Sequence, residues 1–490
     1  MADPLPTRWP QTTIFAAFLV VLALAPLPYG GNTPLAAAWL AVAMGGLVLL
    51  WAAAALLTPE RLRLSRPVLF AMLASLLVLL WIWVQVRPDV VGLLPGLEAH
   101  PVWRAVAGRG GQLEPTIAID PWGAREAVMR LLTVWAAFWL AFALAQEAGR
   151  ARQLLTSLVV VGAVYAALGL GLHFAGIEYV LTEEKSWYRG DVTATFVNRN
   201  NYATYANLGL LAALGLLVEP FLAARSTDLR RRAAELLTTL TTRKALLLVA
   251  TLLLATAMLL THSRGGMLSG LAGILVLLLL ALVAARPSLR AGLAGLVLAL
   301  GLVAALVAYS GAGTLDRLAE IGGDANLAAG TRFAAYERAL AMIAERPWIG
   351  HGFGGFAATF HLWRDERFHT FFDKLHNTWL EHAVELGLPA AVLLYLGPLV
   401  LVAACLRGVF RRRRDQIFPL VAVAASVTVG LHALVDFSLQ IPAVAVTYAA
   451  VLGCGAAQAM PSARGRGRRG DPATAASPGG SMDRAVAAAA

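Results

Sequence analysis

Charged residues are scarce in this chain, and cysteines are almost absent. Only 14% of its 490 residues are Asp, Glu, Lys or Arg, whereas 59% are hydrophobic, and there are two cysteines. So little charge excludes a soluble domain of this length, and the long uncharged runs indicate membrane spans. Cys405 and Cys454 lie in or beside such runs, so the sequence predicts neither a disulfide framework nor a thiolate metal site.

The apolar runs predict an all-α polytopic membrane protein with about twelve transmembrane helices. Each run is of the length that a membrane-spanning helix needs, about 17–25 residues. The runs lie near 11–29, 35–57, 67–86, 124–146, 153–175, 201–223, 245–262, 265–285, 291–310, 388–407, 416–435 and 441–459. We therefore expect one transmembrane domain over 1–460, with a large and partly helical loop, 311–387, between the ninth and tenth spans.

The distribution of basic residues predicts that both termini are cytoplasmic. With this orientation the short inner loops carry most of the arginines and lysines, as in the run 411–414, which satisfies the positive-inside rule. The net charge of +11 is thus dispersed among short loops, which argues against nucleic-acid binding. The tail 461–490, rich in Ala, Gly, Arg and Ser, is predicted to be a disordered, basic, cytoplasmic segment.

The same topology places the chemistry outside the cytoplasm. All nine histidines fall in outer loops or at the outer ends of spans, namely at positions 100, 173, 262, 351, 361, 369, 376, 382 and 432. No Gly-rich phosphate loop with Lys-Ser/Thr occurs, so a nucleotide-driven mechanism is not expected. The outer loop 311–387 contains Phe333, Tyr336, Leu340 and Ile343 at helical spacing, which predicts an amphipathic helix that ends before Pro347.

Two glycine-containing stretches follow in that loop. Residues 348–355 include four glycines, which predicts tight turns that let backbone approach backbone or ligand. Residues 376–387 begin with His376-Asn377-Thr378, where Thr378 and Glu381 have the spacing of a capping box and predict the start of a helix. A histidine just ahead of a helix N-terminus is kept neutral by the helix dipole, and the free N–H groups there favour a nearby anion. This arrangement suits a catalytic base, although a loop histidine is more often a simple surface residue.

Arginines are the candidate anion-binding groups. Arg264 follows Thr261-His-Ser at an outer span end, where it either binds a negative substrate or reaches to lipid headgroups. Arg332 and Arg338 lie on the predicted amphipathic helix. For Arg338, a surface ion pair with Glu337 or Glu345 is the stronger interpretation.

Polar residues at two other span ends complete the candidates. Asn198, Arg199 and Asn200 offer directed donors that suit sugar hydroxyls or phosphate oxygens. His432 and Asp436 are four residues apart, which would put them on one helix face. Asp436 would then orient the histidine or hold an arginine from elsewhere, or the two would form a structural ion pair near the interface. The spacing of the histidines and carboxylates gives weak support for a metal site, so no metal and no cofactor are expected.

Taken together, these motifs resemble those of the O-antigen ligase and O-antigen polymerase superfamily of bacterial envelope enzymes. The matching elements are Ser263-Arg-Gly265, the Arg332 helix leading into Pro347–Gly354, and His376-Asn377 with Leu380, Glu385 and Gly387. The segments 196–200 and 432–442 are also similar to the family patterns, so the resemblance covers roughly 190–445. His262 and the aromatic segment 368–372 are not features of the family pattern.

The resemblance implies a GT-C-like glycosyltransferase of the cytoplasmic membrane with a periplasmic site. It would transfer a glycan from an undecaprenyl diphosphate carrier to a hydroxyl of lipid A core or of another glycan. His376 would be the catalytic base, and Arg264 and Arg332 would bind the diphosphate. A single displacement would invert the anomeric configuration. Ligase and polymerase share this chemistry, and a lipid-linked glycan flippase is the competing class, although such transporters place ionisable groups near mid-membrane.

Overall fold

The computed structural model describes residues 9–57, 62–107, 114–223, 242–285, 301, 324–368 and 372–460. These residues are mainly helical. The α-helices are α1 (Trp9–Leu24), α2 (Pro34–Leu57), α3 (Arg66–Gln85), α4 (Val102–Val106), α5 (Pro121–Leu144), α6 (Ala148–Phe174), α7 (Arg199–Ala223), α8 (Thr242–Leu259), α9 (Arg264–Ala284), α10 (Asp324–Glu345), α11 (Phe356–Trp363), α12 (Thr378–Leu386), α13 (Leu388–Arg411), α14 (Ile417–His432) and α15 (Pro442–Ala459). Short 3₁₀ helices cover Tyr29–Gly31, Pro88–Val90 and Ser438–Gln440, and β1 (Tyr179–Val180) pairs antiparallel with β2 (Glu183–Glu184).

The structure shows a multi-pass helical membrane protein, as the sequence predicted. Nine described helices are long and apolar enough to cross a membrane, and α1 and α14 are shorter apolar helices. These eleven helices coincide with eleven of the predicted spans. The predicted span 291–310, apart from residue 301, and the tail 461–490 lie outside the described residues, so the total of twelve spans stays a prediction.

Helix α15 forms the centre of the bundle. Almost all of its residues are buried, and it packs against α5, α14 and α13. Small residues make this close packing possible. A Cβ atom added to Gly453 would lie 2.4 Å from the Phe138 carbonyl oxygen, and one added to Gly455 would lie 2.3 Å from the Ala422 Cβ. The chain segment that leads into α15, 433–441, is therefore anchored at one end by the most tightly packed helix.

The amphipathic helix of the large loop is present, but its buried face differs from the predicted one. Helix α10 ends at Glu345, just before Pro347 as expected, and it begins at Asp324, earlier than the hydrophobic pattern indicated. Its fully buried positions include Ala335 and Ala339, whereas Phe333 is 71% exposed. The predicted face is therefore only partly right, because Ile343 is buried together with Met342, whereas Phe333 and Leu340 are exposed.

The glycine-rich segment that follows α10 docks its backbone onto α12. Gly350, Gly352 and Gly354 all have positive φ angles, of 65°, 108° and 76°. The backbone amides of residues 351 and 352 donate hydrogen bonds to the carbonyls of Val384 (3.0 Å) and Glu385 (2.9 Å). The predicted close approach is therefore between backbone and backbone. It fixes α12, and with it the segment that precedes α12, against the end of α10.

We expect Gly350→Ala to destabilise the protein more than alanine at an open glycine with a positive φ angle. The new Cβ atom would lie 2.3 Å from the Glu385 carbonyl oxygen, so overpacking and the left-handed backbone together cost about 2–5 kcal/mol. Gly92→Ala is the matched control, because Gly92 has a φ angle of 78° and no atom within 4 Å of such a Cβ. The thermal unfolding midpoints of the two detergent-solubilised variants test this. Equal shifts would show that the docked backbone contact contributes little.

Candidate functional site

His376 lies in a strained turn immediately before α12. Its φ angle is +59°, in the left-handed region, which histidine visits more readily than most residues but still at a cost. Two contacts hold the turn. The Tyr336 hydroxyl donates to the His376 carbonyl oxygen at 3.0 Å, and the Thr378 amide donates to the Ala433 carbonyl at 2.9 Å. The turn is thus tied to α10 on one side and to the segment after α14 on the other.

The cap of α12 is Asn377 and not Thr378. The Asn377 Oδ1 atom accepts a hydrogen bond from the Leu380 amide at 3.1 Å, so the helix begins at Thr378 but the predicted capping box is wrong. Glu381 reaches further back than a capping box would, and accepts from the Leu375 amide at 2.8 Å and from the Lys374 ammonium at 3.2 Å. The buried Glu381 carboxylate therefore braces the chain directly ahead of His376.

The hydrogen bonding of His376 leaves one ring nitrogen available as a base. Nδ1 lies 3.2 Å from the Lys374 carbonyl oxygen. A carbonyl can only accept, so this contact assigns the proton of the neutral ring to Nδ1 and the lone pair to Nε2. Burial, and next the positive charge of Arg332, lower the pKa of His376 below its ordinary value. The ring is consequently neutral at pH 7, which is the state that can accept a proton.

The charge of Arg332 acts on His376, and Arg264 is the first residue of α9. Burial raises the pKa values of Tyr188 and Tyr336, and the positive charge of Arg332 partly opposes this rise in both. Arg264 is exposed at the first position of α9, just after the cap Ser263. Among the described residues, neither Arg264 nor Arg332 forms an ion pair, whereas Arg199 and Arg338 pair with Asp191 and Asp365.

The predicted asparagine cluster connects the helix ends. Asn198 Oδ1 accepts from the Asn200 amide at 2.8 Å at the start of α7. The Asn200 side chain donates to Asp436 Oδ2 at 2.9 Å and accepts from the Ser263 hydroxyl at 2.7 Å. Both ends of the Asn200 amide are thereby engaged with protein atoms. This side chain joins the starts of α7 and α9 to the segment before α15.

Arg199 and the unexpected His262 share one carboxylate. Arg199 Nη1 lies 2.7 Å from Asp191 Oδ2, and His262 Nδ1 lies 2.7 Å from Asp191 Oδ1. The Arg199 guanidinium also stacks 5.3 Å from the centre of the Tyr188 ring. Neither Asp191 nor Tyr188 was predicted as a site residue from the sequence, because each is a lone polar residue in a loop without a recognisable spacing.

His432 and Asp436 do not share a helix face. Helix α14 ends at His432, so the four-residue spacing runs out of the helix, and the predicted pairing is wrong. His432 Nδ1 instead lies 2.6 Å from the Thr204 hydroxyl, in the buried contact between α14 and α7. Asp436 is fully buried and accepts hydrogen bonds from Asn200 and, at 2.5 Å, from the Ser438 hydroxyl.

Arg338 is engaged away from these groups. Its guanidinium forms an ion pair with Asp365, with Nε 3.1 Å from Oδ2, and Arg367 joins the same carboxylate. The interpretation of Arg338 as a surface ion-pair residue is therefore the right one, but the partner is Asp365 and neither Glu337 nor Glu345. A partner 27 residues away was not visible in the helical spacing.

Two histidines outside the predicted site form a buried pair beneath the glycine-rich segment. The Val102 amide donates to His100 Nδ1 at 3.2 Å, so His100 carries its proton on Nε2, which lies 3.0 Å from His351 Nδ1. His351 in turn donates through Nε2 to the Met342 carbonyl at 2.9 Å. Burial, as the largest cause, lowers the pKa of His100 to about 3 and that of His351 to about 4. Both rings are neutral links between the loop after α3 and the end of α10.

The fold and the cluster define a multi-pass membrane protein with a polar, partly cationic site where several helices begin or end. Residues 249–395 match the family model described as O-antigen ligase. This match confirms the predicted resemblance to the O-antigen ligase and polymerase superfamily, over a segment that contains Arg264, Arg332 and His376. No curated protein matches the chain.

Among the described residues, no group of three or more His, Cys, Asp or Glu side chains is arranged to hold a metal ion. Metal independence stays a prediction.

The buried histidine pair predicts a loss of stability in mild acid. Because both pKa values lie below the ordinary 6.5, the unfolded chain binds more protons than the folded one at pH values between about 4 and 6.5. The contribution of the two neutral histidines to the free energy of unfolding is complete above pH 6.5 and is lost as the pH falls below this value. We expect the thermal unfolding midpoint to drop over this range, and His351→Gln to flatten the drop. His361→Gln, at an exposed position, is the control, and an equal slope in all three proteins would contradict the linkage.

Proposed function

We propose that this protein transfers a glycan from an undecaprenyl diphosphate carrier to an acceptor hydroxyl, as an O-antigen ligase does. The observation that carries the proposal is the position of His376. Its neutral ring has a free Nε2 lone pair and is within reach of the positive charge of Arg332, and both residues lie in the segment that matches the ligase family. The reaction needs a base for the incoming hydroxyl and cations for the departing diphosphate.

In the proposed reaction, the acceptor O–H gives its proton to His376 Nε2 as the oxygen bonds to the anomeric carbon. The bond between that carbon and the diphosphate oxygen breaks, and the electron pair leaves with undecaprenyl diphosphate. Arg264 and Arg332 stabilise the charge that develops on the leaving oxygen, because charge-assisted hydrogen bonds from guanidinium groups to phosphate are strong. A single displacement inverts the configuration at the anomeric carbon and requires no metal.

The proposal places the enzyme in the bacterial cytoplasmic membrane with its site on the periplasmic side. The predicted positive-inside orientation supports this placement, since it puts the start of α9, the end of α10 and the His376 turn on the outer side. A polymerase that adds the glycan to a second carrier-linked glycan would use the same residues. The contacts of His376 and the two arginines serve either reaction.

His376→Ala is expected to abolish most of the transfer activity. The loss of a positioned base lowers kcat by about 10²–10⁴-fold, while the protein still folds because the ring makes few of the contacts that hold the turn. The measurement is product formation from a lipid-linked donor in proteoliposomes. His361→Ala, at an exposed histidine of the same loop, is the control and should retain activity. Full turnover by His376→Ala would remove this residue from the mechanism.

Arg264→Ala and Arg332→Ala are expected to weaken use of the donor. Each loses about 1.5–3 kcal/mol of charge-assisted binding to the diphosphate, which should appear as an increase in the KM for the donor and a decrease in kcat. Arg338→Ala is the matched control, because Arg338 lies on the same helix as Arg332 but pairs with Asp365. Donor kinetics that are unchanged in both variants would defeat the proposed diphosphate site.

Arg332→Ala offers a second measurement, because this guanidinium lowers the pKa of His376. Its removal raises that pKa, so His376 becomes protonated at a higher pH. The acid limb of the kcat/KM profile should therefore move to higher pH in Arg332→Ala and stay in place in Arg338→Ala.

A further inference from the structure

A second cavity lies at the ends of α7 and α14 that are remote from the His376 turn. It encloses about 430 Å³ between the end of α7 and the segment that joins α13 to α14. Glu219 of α7 and residues 413–417 form most of its wall. The positive-inside pattern predicts that these helix ends are cytoplasmic. This cavity is therefore separate from the proposed catalytic site.

The two carboxylates of this cavity are already neutralised by arginines that do not line it. Glu219 forms an ion pair with Arg152 of α6. Asp415 lies 3.7 Å from Arg152 Nη2 and 3.5 Å from Arg412 Nη2. Each negative charge at the wall thus has a guanidinium group of its own before the arginines of the wall are counted.

Arg413 and Arg414 therefore leave the cavity positively charged. Both side chains are exposed and line the cavity, and among the described residues neither forms an ion pair. A guanidinium group donates hydrogen bonds in a fixed, planar geometry that matches the oxygens of a phosphate group. Two such groups at one cavity, with no carboxylate left to neutralise them, favour a phosphate ester as the ligand.

The start of α14 increases the attraction for an anion. The helix begins at Ile417 without a side-chain cap from Gln416, and both residues line the cavity. The Gln416 side-chain amide donates instead to the Val409 carbonyl oxygen at 2.7 Å. Uncapped N–H groups in the first turn and the positive end of the helix dipole stabilise a negative charge at this position.

The surroundings favour a lipid headgroup over a soluble phosphate. Helix α13 has the length and composition of a membrane span, and exposed apolar side chains recur along it at helical spacing, which places them on one face. They are Val392, Leu396, Leu399, Leu406 and Phe410. This row ends three residues before Arg413, so acyl chains that contact α13 bring their headgroup to the level of the two arginines. Basic pockets at the cytoplasmic ends of membrane helices bind anionic headgroups in this way.

We propose that this cavity binds the phosphate-ester headgroup of an anionic phospholipid of the inner leaflet. Arg413 and Arg414 donate hydrogen bonds to the phosphate oxygens, and the acyl chains lie against α13. The bound headgroup joins the end of α7 to the segment between α13 and α14. The site is distinct from the proposed glycan transfer and does not depend on it.

The arginines at this end of the protein provide matched variants. The double variant Arg413→Gln, Arg414→Gln removes two exposed cations from the wall of the cavity, whereas Arg407→Gln, Arg411→Gln removes two exposed cations from the last turns of α13 that do not line it. The probes are dioleoylphosphatidylglycerol and glycerol phosphate, its soluble headgroup. Native mass spectrometry of the full-length protein in detergent measures the dissociation constant of the first molecule bound. The thermal unfolding midpoint without lipid checks that both variants are folded.

We expect Arg413→Gln, Arg414→Gln to weaken phosphatidylglycerol binding by about tenfold or more, a loss of about 1.4 kcal/mol. Arg407→Gln, Arg411→Gln should bind like the wild type, and glycerol phosphate should bind much more weakly than the lipid. Equal losses in the two double variants would assign the binding to the charge of the whole surface and overturn the proposed site. Unchanged binding in Arg413→Gln, Arg414→Gln would also overturn it. Glycerol phosphate that binds as tightly as the lipid would assign the cavity to a soluble phosphate ester instead.

Discussion

The buried carboxylate of Asp436 is the interaction on which the arrangement of the site depends. A buried charge is costly unless hydrogen bonds compensate it, and here Asn200 and Ser438 donate to it. The backbone carbonyl of Asp436 also accepts a hydrogen bond from the Thr378 hydroxyl at 3.0 Å. Through these bonds and the contact of Asn200 with Ser263, one residue fixes the starts of α7, α9 and α12. The start of α9, which carries Arg264, and the turn before α12, which carries His376, are thereby held relative to each other.

The backbone conformation of His376 follows from the same set of constraints. Its left-handed φ angle persists because Tyr336 holds its carbonyl, Asn377 caps the following helix and Glu381 binds the preceding amide. A residue held in a strained conformation by its surroundings is common where a side chain must be presented in one orientation. The docked glycine-rich segment serves this end from a distance, because it fixes the far end of α12.

Much of the helical framework was predictable, because long apolar runs leave a membrane-spanning chain few alternatives to helix. The spacing of residues gave wrong predictions for details that depend on contacts with other segments. Phe333 is exposed while Ala335, Ala339 and Met342 are buried, because the segments that pack against α10 decide which of its sides is covered. Asn377 rather than Thr378 became the cap, and His432 and Asp436 were separated by the end of α14. In each case the spacing was compatible with two local structures, and contacts with other segments selected one.

The sequence by itself determined the class of protein, the approximate positions of the spans described by the structure, the resemblance to the ligase superfamily and the identity of His376, Arg264 and Arg332 as candidates. These follow from composition, hydrophobic length and local motifs, which are properties of contiguous segments.

Only the tertiary structure decided which partners these residues have. It paired Arg338 with Asp365 and Arg199 with Asp191, engaged Asn200 with Asp436, and joined His100 to His351. It also placed a large apolar cavity beside Phe437. Except for Arg199 and Asp191, which are eight residues apart, these contacts join residues far apart in the chain. Their formation depends on how the helices pack, which no local pattern encodes.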